Sequence, residues 1–157
     1  MKTLVVYDSV FGNTEQIAKS IGKSLGSKES IEVLRVADVK PEQLVGINLL
    51  IVGSPTRAFK PTKAITDFLN KIPSNLLKGV KVAAFDTRIS VEDTNSRILN
   101  GFVKIFGYAG KPIADKLQKR GGTLIGQPEG FYVKDSEGPL KKGEIERAEK
   151  WGSSFNG

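Results

Sequence analysis

The chain alternates short apolar runs with longer stretches of helical spacing, and this alternation limits the fold more than any other feature of the sequence. Thr3-Leu4-Val5-Val6-Tyr7 is a β-rich run suited to burial on both faces. Over residues 13–25, Ile17, Ala18, Ile21 and Leu25 recur at helical spacing, and Gly26 supplies a C-terminal stop. Residues 31–36 alternate apolar and polar side chains as a half-buried strand does. Leu49-Leu50-Ile51-Val52, within 48–53, is the most hydrophobic run and reads as a central strand. The spacing predicts a second helix over 62–70, with Ile65, Phe68 and Leu69 inward, and a fourth strand over 81–85. Further helices are expected over 96–106, ending near Gly107, and over 112–119, stopped by Gly121-Gly122. Thr123-Leu124-Ile125 begins a fifth strand, and Phe131-Tyr132-Val133 extends it or pairs beside it. A charged helix follows over 142–151.

Alternating β and α units imply a parallel sheet covered by helices on both faces and joined by right-handed crossovers. The expected fold class is α/β: a three-layer, doubly wound, five-stranded parallel sheet. A length of 157 residues without an internal repeat or linker suits one domain over 1–157. In such sheets ligands lie beyond the carboxyl ends of the strands, where the strand order reverses. The segments after Tyr7, Gly53 and Phe85 should therefore converge.

Composition removes whole classes of chemistry. The chain has no cysteine and no histidine. That excludes disulfides, thiol catalysis, cysteine-ligated iron–sulfur clusters and zinc sites built from nitrogen or sulfur. It also removes the usual general base near neutral pH. Redox chemistry must come from an organic cofactor, and no metal site is expected. The net charge is +7, and its placement is uneven. Between positions 57 and 88, seven basic residues from Arg57 to Arg88 meet only Asp67 and Asp86, a net +5. Such a surface favours acidic partners, anionic cofactors or nucleic acid, and also fits a solvated face with no dedicated partner. No apolar run approaches the roughly 18 residues of a spanning helix. Asp8 cuts the opening run too short for a secretory leader, so a cytoplasmic location is expected.

After the first strand comes Asp8-Ser9-Val10-Phe11-Gly12-Asn13-Thr14-Glu15. Hydroxyls, an amide and a permissive glycine surround a helix start, whose unpaired N–H groups and partial positive charge suit phosphate. The same residues also serve as ordinary helix caps. The turn contains no Lys or Arg, so an anion there would be held by neutral donors and the helix end. A Walker-type loop is disfavoured because Gly-Lys-Ser/Thr is absent, and a dinucleotide fingerprint because the spaced glycines are missing.

Ser9-Val10-Phe11-Gly12-Asn13-Thr14-Glu15 resembles the flavodoxin phosphate loop, Ser/Thr-x-Ser/Thr-Gly-x-Thr after the first strand. Phe11 departs from it where a hydroxyl residue usually stands, which removes one side-chain hydrogen bond of roughly 1 kcal/mol or more. Gly53-Ser54-Pro55-Thr56-Arg57-Ala58-Phe59-Lys60-Pro61 looks like the loop beside the ribityl chain and one face of the flavin ring. The resemblance implies that Thr56 contacts ribityl or phosphate oxygens, and that Arg57 stands where many flavodoxins place a tryptophan. Arginine can stack on a flat ring and favour its anionic reduced form. Phe59 is the nearest aromatic for an apolar contact; alternatively it packs inward and Arg57 is solvated. By resemblance, a peptide near Ala58-Phe59 flips to meet N5 of the half-reduced flavin. Non-glycine residues spend about 1–2 kcal/mol entering left-handed geometry, so weaker stabilisation of that state is expected than with glycine there. Phe85-Asp86-Thr87-Arg88-Ile89-Ser90 resembles the loop that meets the pyrimidine edge through backbone groups, although the stacking aromatic expected there is absent. Phe102, Phe106 and Tyr108 are read as core; alternatively one of them reaches the site, if the irregular segment folds back.

The resemblance covers nearly the whole chain and implies a short-chain FMN protein. FMN would be held by Ser9, Val10, Phe11, Gly12, Asn13, Thr14, by Ser54, Pro55, Thr56, Arg57, Ala58, Phe59, and by Asp86, Thr87, Arg88. The implied function is electron transfer with redox partner proteins. Flavodoxins are usually acidic; this basic chain calls for partners with acidic docking faces. The alternative is an FMN-dependent NAD(P)H:quinone or flavin reductase, whose loop Pro-Thr-Arg-Phe-Gly is partly matched by Pro55-Thr56-Arg57-Ala58-Phe59. Their His-Gly-Gly-type stretch is missing, which counts against that activity. A binding module without flavin is a third reading. Neither a membrane nor nucleic acid is expected as a partner, the latter because basic and aromatic residues are not interleaved.

Overall fold

The computed structural model describes residues 1–26, 30–90 and 107–156. Among them the strands are β1 (Lys2–Tyr7), β2 (Ser30–Arg35), β3 (Leu49–Pro55), β4 (Lys81–Ile89), β5 (Thr123–Leu124) and β6 (Glu129–Val133). The described helices are α1 (Asn13–Ser24), α2 (Lys63–Lys71), α3 (Gly110–Lys119) and α4 (Glu144–Ser153). Apart from β4, the limits of these elements depart from the sequence expectation by at most two residues. The helix expected over 96–106 lies outside the described residues. Among the described residues, no helix is long and apolar enough to cross a membrane.

All strand pairs are parallel, in the order β2-β1-β3-β4, with β5 and β6 in line against the outer edge of β4. Six strand segments thus fill five positions. Between β5 and β6, Gly126 adopts φ 72 and Pro128 has no N–H to give to the ladder, so the fifth position is interrupted there. The order runs outward from β1 in both directions, which opens a crevice at the carboxyl ends of β1 and β3.

The strands bury both faces, as their unbroken apolar runs require. Val5, Tyr7, Ile51 and Phe85 pack under α1 and α4 with Ile17, Ile21 and Ala148. Leu4, Val6, Leu50, Val52 and Val82 pack under α2 and α3 with Ile65, Leu69, Ile113 and Leu117. Gly53 marks a close approach: a Cβ there would meet the Phe85 ring at 2.0 Å. Gly26, at φ 88, takes the left-handed position just past α1.

The fourth strand does not end at Phe85. It continues to Ile89, because Thr87 pairs with Pro55 of β3 on one side and with Phe131 of β6 on the other. Asp86, Thr87 and Arg88 are therefore strand residues, not a loop. Their polarity suggested a loop, but each polar side chain has a partner inside the fold.

α4 is fastened to β6 by ions. Arg147 donates to Glu144 (Nη2 to Oε2, 2.7 Å), to Glu129 (Nη1 to Oε1, 2.8 Å) and to the Gly130 carbonyl. Glu144 also accepts the Tyr132 N–H at 2.7 Å. Burial works against its charge, yet Arg147 and that N–H hold the carboxyl below its ordinary value of 4.5. A folded value below the unfolded one means that the contribution is present above about pH 4.5 and fades as pH falls through the folded value. Glu144→Gln should lose about 1–3 kcal/mol at pH 6, and its urea-unfolding stability should fall less steeply between pH 5 and pH 3. Parallel wild-type and variant curves would contradict this.

Candidate functional site

The carboxyl ends of β1, β3, β4 and β6 surround an open cleft of about 320 Å³. One wall is the turn after β1, through Ser9, Val10, Phe11, Asn13 and Thr14. Another is Pro55, Thr56, Arg57 and Ala58; a third is Thr87, Arg88 and Ile89. Val133 and Ser136 close the remaining side. The three segments expected to converge do so.

The first turn is wound by its own serine. Ser9 Oγ accepts the N–H groups of Gly12 (3.1 Å) and Glu15 (3.3 Å), and Gly12 sits at φ 93. A side chain at that φ would be strained, so glycine is the residue that allows the wrap. Among the described residues, no acceptor meets the backbone N–H groups of Val10, Phe11, Asn13 or Thr14. Four donors at a helix start thus remain for a ligand. Thr14 Oγ1 lies 2.8 Å from Thr87 Oγ1, a buried contact that joins the turn to β4. Asn13 Nδ2 donates to the Glu137 carbonyl at 3.1 Å and joins it to the segment after β6.

Beyond β3, Thr56 donates its N–H to the Thr87 carbonyl, and its hydroxyl oxygen accepts from the Ala109 N–H at 3.2 Å. Its hydroxyl hydrogen stays available. Ser54 is fully buried and does not line the cleft; its hydroxyl accepts the Thr62 N–H at 3.0 Å and donates to the Pro55 carbonyl. Arg57 and Lys60 exchange two backbone bonds of 2.8 and 3.0 Å around a two-residue hairpin. Its tip residues, Ala58 (φ 48) and Phe59 (φ 69), are both left-handed. That turn normally carries Asn-Gly, and each non-glycine residue in it costs about 1–2 kcal/mol. The geometry expected to be disfavoured is adopted here.

Phe59 is half-buried and borders a separate crevice with Lys60 and Pro112, not the cleft. Among the described residues, the aromatic that does reach the cleft is Phe11, about half exposed, with the Arg57 guanidinium 5.7 Å above its ring. Arg57 meets no carboxylate among the described residues. Arg88 is different. Its Nε and Nη2 each donate to Asp86 at 2.6 Å, and its guanidinium lies 3.7 Å over the Tyr108 ring.

Asp86 was expected to meet the flavin through its backbone, and its side chain has a separate role. Its side chain is fully buried on the α3 face, where it also accepts the Gly110 N–H at 2.8 Å, and it does not line the cleft. Burial pushes its carboxyl upward and the Arg88 guanidinium opposes that push. Gly12 shapes the turn without lining the cleft. Sequence reasoning missed Ile89, Val133 and Ser136. The signal for the last two was available: Val133 ends β6 and Ser136 follows it, at the same edge as the other three segments.

A family model for flavodoxin matches residues 5–151. The chain belongs to the flavodoxin family. Flavodoxin 1 of Salmonella typhimurium is 30% identical over 139 residues, covering 87% of this chain and 73% of its own length. The flavodoxin of Maridesulfovibrio salexigens is 29% identical over 130 residues, covering 80% of this chain and 82% of its own length. A solved flavodoxin from the domain Archaea superposes with a TM-score of 0.78 at 26% identity, covering 99% of this chain and 96% of that one. This flavodoxin is an FMN-binding electron-transfer protein. Its relatives favour the carrier over the reductase reading. The residues present fit the cofactor: unmet N–H donors and hydroxyls suit a phosphate, and Arg57, Ala58 and Ile89 offer flat or apolar contact.

Asp86→Asn would leave the mostly buried Arg88 guanidinium without its anion. A loss of about 3–5 kcal/mol is expected in urea unfolding; a loss under about 1 kcal/mol would show that the pair does not brace this wall.

Proposed function

We propose that this chain works as a single-domain cytoplasmic electron carrier, with the FMN phosphate at the 9–15 turn and the flavin ring between residues 55–58 and 87–89. The observation that carries this reading is the set of unmet N–H groups at the start of α1, faced by two more walls of the same cleft. FMN, when bound, supplies one- and two-electron chemistry that no side chain here offers. The chain's own residues bind and orient it. The N–H groups of Val10, Phe11, Asn13 and Thr14 converge on the anion, assisted by the helix end. Thr14 and Thr87 share one hydroxyl contact, so Thr87 as donor leaves the Thr14 hydrogen for the phosphate. Thr56 donates toward the ribityl chain. Ser54, Gly12 and Asp86 act behind the wall, by holding the turn, the wrap and Arg88.

Arg57 sets the electrostatics. Arg88 is already matched by Asp86, whereas Arg57 has no carboxylate partner among the described residues, so its charge acts on whatever fills the cleft. A nearby cation favours the anionic reduced ring. Arg57 and Lys60 are exposed at the hairpin beside the cleft, within the stretch that carries +5, and suit an acidic docking face on the redox partner.

Two measurements test this. Thr14→Val should weaken FMN about tenfold and riboflavin, which lacks the phosphate, much less; equal losses would refute the phosphate placement. Arg57→Gln should lower the midpoint potential of the bound flavin by about 30 mV; an unchanged potential in a redox titration would remove Arg57 from the ring's surroundings.

A further inference from the structure

The phosphate turn carries an electrostatic contradiction. It is flanked by two carboxylates, Asp8 just before it and Glu15 in the first turn of α1. Asp8 Oδ1 accepts the Ser9 N–H at 2.9 Å, and Glu15 Oε2 accepts the Tyr7 hydroxyl at 2.6 Å. The Tyr7 hydroxyl holds the Glu15 carboxyl below its ordinary range, so it is charged at neutral pH. Each unit charge a few ångströms from a dianion opposes it by about 1 kcal/mol or more, even in water. Something has to offset them.

We propose that Arg35 is a positioning residue for the FMN phosphate: it aims the turn at the cleft and neutralises Asp8 and Glu15. This rests on the phosphate lying at the 9–15 turn. Arg35 ends β2, opposite Tyr7 in the register. Its Nη1 donates to the Ser9 carbonyl at 2.9 Å and lies 3.6 Å from Asp8 Oδ1. Its Nη2 lies 3.6 Å from Glu15 Oε2, and its guanidinium carbon lies 5.3 Å from the centre of the Tyr7 ring. One rigid fork therefore touches both acids and the backbone. Lys19 also approaches Glu15, at 3.7 Å, but its side chain is 66% exposed and screened by water.

The carbonyl contact has a directional effect. In a trans peptide, C=O and the following N–H point in opposite directions. Holding the Ser9 carbonyl on the Arg35 side turns the Val10 N–H the other way, and Val10 lines the cleft. Arg35 thus contributes to anion binding from outside the turn, which itself has no cation.

The test compares FMN and riboflavin affinities, by quenching of flavin fluorescence, in the full chain with Arg35→Met and Arg35→Lys. Arg35→Met should weaken FMN about tenfold and riboflavin less than about twofold, with the difference narrowing in high salt. Arg35→Lys should recover part of the loss. In an Asp8→Asn/Glu15→Gln background the Arg35→Met penalty on FMN should shrink by at least about half. Equal weakening of FMN and riboflavin, or an undiminished penalty in that background, would overturn the proposal. Wild-type protein that binds riboflavin as tightly as FMN would instead overturn the phosphate placement beneath it.

Discussion

The strand order reverses at β1, and the cleft end of the molecule depends on that reversal. β2 lies to one side of β1 and β3 to the other, so the chain leaves the sheet in opposite directions at neighbouring carboxyl ends. The turn after β1 cannot pack beneath a neighbouring loop and instead faces open space with four N–H groups unmet among the described residues. In the body of the fold such groups would be a defect. Here they are the donors of the proposed phosphate site. The surrounding contacts then serve to keep this turn in place: Ser9 from within, Thr87 from β4, Asn13 to the segment after β6, and Arg35 from β2.

Three arginines near the cleft illustrate how one residue type takes different work from its partners. Arg88 meets a buried carboxylate at 2.6 Å through two nitrogens and braces a wall. Arg35 meets two partly exposed carboxylates at 3.6 Å and sits behind the proposed anion site. Arg57 meets an aromatic ring and keeps its charge for the cleft. Counting basic residues along the sequence gives all three the same weight, and the fold does not.

The strands and helices were legible because their apolar residues report burial directly. Leu4 and Val6 face one layer, Val5 and Tyr7 the other, and the periodicity of Ile17 and Ile21 is the face of α1 that covers them. The turn after β1 was legible as a turn because a glycine and capping hydroxyls precede the apolar spacing of α1. The end of β4 was not, since Asp86 and Arg88 look like loop residues until the fold supplies each as the other's counter-ion. The aromatic at the cleft was misjudged for a similar reason: Phe59 is adjacent in sequence, but the hairpin turns it toward Pro112 and leaves Phe11 facing Arg57. Arg35 lies some twenty residues from the turn it grips and carries no local signature. Only the register of β2 against β1 brings it there.

The hairpin at Ala58 and Phe59 has a mechanical consequence. Two successive residues are wound against the handedness that L-amino acids prefer, and a pair of backbone bonds between Arg57 and Lys60 closes the winding. A segment under such torsional load has a smaller free-energy gap to its other conformers than an unstrained turn of equal length. Of the cleft's walls, this is the one whose backbone carries that torsional load at successive non-glycine residues, among the described residues.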